Sequence, residues 1–207
     1  MIKGIILDMG GVIIDLDRER CIESFHALGC NAIDGMLDAY HQRGLFADLE
    51  TGKISAREFC ESIAEYCNPG VTHRQIEDAF LSFCIGVKPY KWELIKELGA
   101  KYDLFVLSNN NPIVVPRFEE VGARYGVTCE GSFKECFFSY RMKMVKPCEE
   151  FFRTAIARTG LPAEEMLFVD DSQTNLDAGA AFGLKTVFYN PEDNLRDVIY
   201  NALKQYE

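Results

Sequence analysis

Short apolar runs alternate with longer stretches in which apolar residues recur every three or four positions. The short runs are Ile5-Ile6-Leu7, Asp103–Leu107, Glu135–Ser139, Met166–Val169 and Lys185–Tyr189. Runs of this length, rich in β-branched and aromatic residues, predict strands buried on both faces. Helical periodicity fills the rest. Asp17 is placed to cap a helix carrying Ile22, Phe25 and Leu28 and stopped near Gly29. Residues 32–44 read as a second helix, and Leu49–Ile54 as a turn. Ser55-Ala56-Arg57-Glu58 and Thr72-His73-Arg74-Gln75 are capping boxes. The first opens a helix with Phe59, Ile63 and Cys67 on one face, the second a helix with Ile76, Phe80 and Phe83. Residues 16–88 are therefore expected to form a helical block.

Beyond Pro89 strands and helices alternate. Pro89 suits the first turn of a helix bearing Trp92, Ile95 and Leu98. Further helices are expected after Pro112, from Pro147 to Gly160, from Ser172 to Gly183, and from about Asp193; residues 122–134 are poorly patterned. Such alternation predicts an α/β fold, doubly wound and mainly parallel, with right-handed crossovers and helices on both faces.

Polar chemistry gathers at the strand ends, where open α/β sheets bind ligands. The first strand runs into Asp8, then Met9 and two glycines, Gly10 and Gly11, which let the backbone turn sharply and approach a ligand. The second ends in Ser108-Asn109-Asn110-Asn111, the third is followed by Lys146-Pro147, and the fourth ends in Asp170-Asp171-Ser172. Two adjacent acids after a buried strand repel one another unless a cation is present. Hard divalent cations take oxygen ligands of this kind.

Composition narrows the classes. Apolar residues make up 48% of 207 positions, enough for a sizeable core, and the formal charge is −10. That charge argues against nucleic acid or an anionic membrane as partner. It leaves open an anionic small molecule, because a local cation and a lysine can dominate a site. Eight cysteines show no CxxC pair and read as free thiols. No run approaches a membrane span and no leader pattern opens the chain, so a cytoplasmic location is expected; the sequence does not set the oligomeric state, with a monomer favoured.

Taken together and in this order, the four strand ends resemble the four motifs of the haloacid dehalogenase (HAD) superfamily, over nearly the whole chain. The resemblance implies a Rossmann-like core from residues 1–15 and 89–207, with residues 16–88 inserted as a small helical cap hinged near Asp15 and Lys88. It implies a Mg²⁺-dependent phosphatase of small phosphorylated metabolites. Asp8 would be the nucleophile forming an aspartyl-phosphate. Asp8, the Gly10 carbonyl, Asp171 and Asp170 would hold the metal. Ser108, Asn109 and the backbone at Gly11 would bind phosphoryl oxygens, and Lys146 would neutralise them. Lys143 lies close by where many relatives carry glycine, so two lysines compete for that role. Asn175 resembles a position that fixes the loop. His41, Arg43 and Lys88 are cap residues that could meet substrate, although solvent-facing positions suit them better.

One position departs from the usual pattern. Most HAD phosphatases have D-x-D in the first motif, the second acid protonating the leaving group; here that position is Gly10. This resembles a branch that includes α-glucose-1-phosphate phosphatases and suggests sugar phosphates such as hexose 1-phosphates. Two rivals remain: a metal-free 2-haloacid dehalogenase, and a non-catalytic protein binding a phosphorylated ligand or a partner. The acidic pair counts against the dehalogenase, since a halide and carboxylate site has no use for extra negative charge.

Overall fold

The computed structural model describes residues 1–37 and 43–206. Five parallel strands form the central sheet: β1 (Gly4–Leu7), β4 (Asp103–Ser108), β5 (Glu135–Phe138), β6 (Met166–Asp170) and β7 (Lys185–Phe188), in the order β5-β4-β1-β6-β7. β1 therefore lies between β4 and β6 and pairs with both, Ile6 opposite Phe105 on one side and Phe168 on the other. Connections from β1 run outward to β4 and β5, then cross back to β6 and β7. That reversal beside β1 is a topological switch point, where a crevice opens at the strands' carboxyl ends.

Alternation along the strands sorts two apolar layers. Ile5, Leu7, Leu104, Val106, Leu167 and Val169 pack against helices α5 (Pro89–Gly99), α6 (Val114–Ala123) and α11 (Leu195–Leu203). Ile6, Phe105, Leu107 and Phe168 face the other way, against Phe151, Phe152 and Ala155 of α9 (Glu149–Thr159) and Leu176 of α10 (Gln173–Ala181). This is the doubly wound α/β architecture that the alternation predicts. α9 ends on Gly160 with φ 72°, the left-handed stop expected from sequence.

Between β1 and β4 stands a helical unit built on a second buried cluster, which also takes in Ile113 beyond β4. It comprises α1 (Arg18–Ala27), α2 (Gly44–Glu50), α3 (Ala56–Ala64) and α4 (His73–Leu81). Asp17 caps α1, accepting from the Arg20 amide at 3.0 Å. Both capping boxes form: Ser55 with Glu58 and Thr72 with Gln75. Phe46 sits at the centre of an aromatic cluster, its ring 4.9 Å from that of Phe59 and 5.0 Å from that of Phe80.

Three sequence readings change in this region. Residues 31–35 form one 3₁₀ turn rather than the start of a helix over 32–44; residues 38–42 of that segment lie outside the described residues. Leu49 and Glu50 end α2 instead of opening a turn, and the turn begins at Thr51. Phe83 falls beyond α4, because the chain leaves the helix at Ser82 and enters β3 (Cys84–Gly86), which pairs antiparallel with β2 (Asp15–Leu16). The two crossings between the helical unit and the sheet are thus one short ribbon. It is pinned by Lys91, whose Nζ lies 2.7 Å from both Asp15 Oδ1 and the Val12 carbonyl. Lys91 is fully buried, and a buried ammonium needs partners of this kind.

Candidate active site

Asp8 leaves β1 at its carboxyl end, where its amide donates to the Val169 carbonyl at 2.9 Å. Its side chain is turned back on the strand end: Oδ1 accepts from the Met9 amide at 2.6 Å, and Oδ2 lies 3.0 Å from Lys146 Nζ. The same ammonium is 2.6 Å from Asp170 Oδ2. Asp170 is fully buried and accepts from three donor groups. Asn175 Nδ2 reaches its two oxygens at 3.0 and 3.2 Å, and the Ser172 amide reaches Oδ1 at 2.8 Å. Asn175 thus fixes the loop after β6. Ser172 performs its part through its amide, with no side-chain cap on α10.

Asp8, Asp170 and Asp171 each offer a carboxylate oxygen within 4.8 Å of the others. One lysine cannot balance three carboxylates. Burial, with Asp170 and Asp171 adding and Lys146 opposing, pushes Asp8 up to about 7. Burial and the Asp170 charge push Asp171 up to about 6. Burial pulls Lys146 down, but Asp170 and Asp8 outweigh it and hold the ammonium above its usual range. A pocket of hard oxygen donors that is short of positive charge fits a small divalent cation.

The two glycines after Met9 serve different ends. Gly11 has φ 78°, and a Cβ there would overlap the Asp171 carboxylate, so only glycine lets the backbone pass so close to the acids. Gly10 needs no such conformation. A Cβ at Gly10 would meet only Leu16 Cδ1, at 3.3 Å, so a side chain there is sterically admissible.

Ser108 is buried at the end of β4, its Oγ 3.4 Å from the Asn109 carbonyl, and it works weakly against the rise in the Asp8 pKa. Asn109 takes a different part from the one expected. Its Oδ1 accepts from the Lys146 amide at 2.7 Å and its Nδ2 donates to the Lys146 carbonyl at 3.0 Å. The side chain clamps the lysine loop and leaves a single N–H for any phosphoryl oxygen. Asn110 and Asn111 are buried and structural: Asn111 Oδ1 accepts from Ile113 and Val114 at 3.0 Å, starting α6.

The competition between lysines is resolved by backbone conformation. Lys143 lies in the left-handed region, φ 59°, and its Nζ bonds to the Gly52 carbonyl of the helical unit, away from Asp8. Of the two lysines, it is Lys146 that reaches the acids. Of the other cations considered, Arg43 is exposed before α2, and His41 lies outside the described residues. Lys88 joins Gly11, Asp15, Arg18 and Asp171 around a cavity of about 350 Å³.

A residue that sequence reasoning passed over, Glu50, also comes to this edge. Its carbonyl accepts from Ser139 Oγ at 2.6 Å. Ser139, after β5, also accepts from the Asn110 amide at 2.9 Å. The helical unit therefore docks on the loops that carry Ser108 and Lys146. The sequence carried no direct signal for it, because Leu49–Ile54 reads as a turn.

A family profile for haloacid dehalogenase-like hydrolases matches residues 2–183. The D-ribitol-5-phosphate phosphatase of Bacteroides thetaiotaomicron is 35% identical over 198 residues, 93% of either chain. A predicted HAD-like family hydrolase from Porphyromonas gingivalis superposes with a TM-score of 0.90 at 35% identity, covering 99% of this chain and 98% of that one. A HAD family enzyme of B. thetaiotaomicron, crystallised with magnesium and inorganic phosphate, superposes with a TM-score of 0.87 at 33% identity, covering 94% of this chain and 97% of that one.

Proposed function

Because this chain belongs to the haloacid dehalogenase-like hydrolases, we propose that it is a Mg²⁺-dependent phosphatase of small sugar or polyol phosphates, working through an aspartyl-phosphate on Asp8. The observation that carries the reading is the convergence of Asp8, Lys146, Asp170 and Asp171 on one point at the switch of the sheet. Asp8, Asp171 and the Gly10 carbonyl would hold Mg²⁺, which when bound neutralises charge on the phosphoryl oxygens. Asp170, already occupied by Lys146, Asn175 and Ser172, supports the site from behind.

The chain's own groups supply the rest. An Asp8 oxygen attacks phosphorus as the ester bond breaks, giving the acyl phosphate, which water then cleaves. Lys146 meets the negative charge on the non-bridging oxygens from a buried position, where it acts with little screening. Ser108 and the backbone at Gly11 orient the group, and Asn109 holds Lys146 in place. The helical unit, residues 16–88, acts as a cap that closes over the crevice and excludes water. Among substrates we rank open-chain polyol and sugar phosphates first, on the strength of the phosphatase that is 35% identical. Hexose 1-phosphates are the comparison class.

A panel of polyol and sugar phosphates, assayed with Mg²⁺ and with EDTA, tests this. Phosphate release from several polyol or pentose phosphates, abolished by EDTA, is expected. Full activity in EDTA, or no release from any ester, would refute it.

A further inference from the structure

A HAD phosphatase with glycine in place of the second acid lacks a proton source for the leaving group. A polyol phosphate is an ester of an ordinary alcohol, whose alkoxide is a poor leaving group. General acid catalysis is worth about 10²–10⁴-fold for such a step. We propose that Glu50, carried on α2 of the helical unit, is the general acid and base that Gly10 cannot be. The inference rests on the phosphatase reading above.

Three observations place Glu50 there. It lines a small cavity with Gly10, Leu16 and Asn109. A side chain built at Gly10 would have Leu16 as its nearest neighbour, so it would enter the same space. Glu50 thus borders the space that an acid at residue 10 would occupy. The cavity is about 50 Å³, room for a water or a substrate hydroxyl. Docking is fixed on both sides of the carboxylate's helix end, by Ser139 Oγ on the Glu50 carbonyl and by Lys143 on the Gly52 carbonyl. A side chain at Gly52, φ 63°, would overlap the Tyr140 backbone, so the turn after Glu50 is seated directly on the core.

The charges that face Glu50 suit the role. Burial first, then the Asp8 charge, push its carboxyl up to about 8, with Lys146 pulling the other way. The shift is in the direction of the protonated form that an acid needs. In the first step the Asp8–phosphorus bond forms, the phosphorus–ester bond breaks, and the Glu50 proton passes to the departing alkoxide. In the second step Glu50 carboxylate takes a proton from water as that water attacks phosphorus. The Asp8–phosphorus bond breaks, inorganic phosphate leaves, and Glu50 is again protonated.

The test compares Glu50→Gln with wild type on D-ribitol 5-phosphate and p-nitrophenyl phosphate. It uses kcat/KM, which reports the phosphorylation step and its leaving group. The substitution is isosteric, and thermal melting checks that the fold is kept. The expected result is a loss of about 10²–10⁴-fold on the alkyl ester, a clearly smaller loss on the aryl ester, and a burst of p-nitrophenol as the aspartyl-phosphate accumulates. Equal losses on both esters, or wild-type values on both, would overturn the assignment. A wild type inactive on every ester removes the proposed function and this inference with it. An active wild type with an unaffected variant removes the inference alone.

Discussion

Asp170, on the core side of the site, accepts hydrogen bonds from Lys146, Asn175 and the Ser172 amide. Glu50, on the other side, rides at the end of a seven-residue helix whose core anchor is Phe46. The core acids hang from strands buried on both faces, and their positions cost little further entropy once the sheet is formed. The helical side reaches the site through a ribbon of two- and three-residue strands and a few bonds to the loops after β4 and β5. In the proposed reading, the acids that would hold the metal, and Asp170 behind them, are fixed by the sheet, whereas the group that would meet the substrate sits on the element with the slighter attachment.

Changing a core acid should therefore cost the most in activity. Asp171→Asn removes charge from the hard-cation site, and loss of that charge stabilisation is worth ~10²-fold or more in rate. Steady-state kinetics across a Mg²⁺ titration check it. Wild-type turnover at saturating Mg²⁺ would mean that Asp171 is not a ligand.

On the helical side the largest effect should be on folding. Phe46→Ala empties the centre of an aromatic cluster, and truncations of this type cost about 3–5 kcal/mol. Chemical denaturation should show the helical unit loosening first, with activity falling alongside. A single transition at wild-type denaturant concentration would contradict the separate cluster described here.

The shortage of positive charge makes a further contrast, in pH. Asp8 and Asp171 are raised in the fold, to about 7 and about 6, above their unfolded values near 3.9. Their contribution to metal-free stability is therefore complete below the unfolded value and is lost as pH rises through the folded values. Mg²⁺ should recover that loss, so its effect on Tm should be larger at pH 8 than at pH 5. An equal shift at both would show that these carboxylates do not carry the binding. The smallest effect is expected at the latch: Ser139→Ala removes hydrogen bonds worth about 0.5–1.5 kcal/mol each. It should raise KM several-fold while hardly moving kcat. An unchanged KM would separate docking from substrate capture.

The strands and their acids could be read in the sequence because burial on both faces leaves a plain apolar run, and a carboxylate at its end has no packing reason to be there. The capping boxes at Ser55 and Thr72 were equally legible, since each is a contact between residues three apart. What escaped depends on distant partners. Lys91 is a buried cation only because Asp15, 76 residues away, is brought to it. β2 and β3 are too short to carry a period. α2 has no side-chain cap at Arg43 and so no start signal, which hid the helix that presents Glu50. Lys143 and Lys146 could be told apart only once the backbone placed one in the left-handed region.

The most direct test is whether Asp8 becomes phosphorylated. Wild type mixed with D-ribitol 5-phosphate and Mg²⁺ should be quenched in acid within a single turnover, digested, and analysed by mass spectrometry. The account predicts one phosphoryl group on the peptide containing Asp8, absent in EDTA and absent in Asp8→Asn. Hydrolysis of the ester with no phosphoryl group on that peptide at any quench time, or its appearance on another residue, would contradict it.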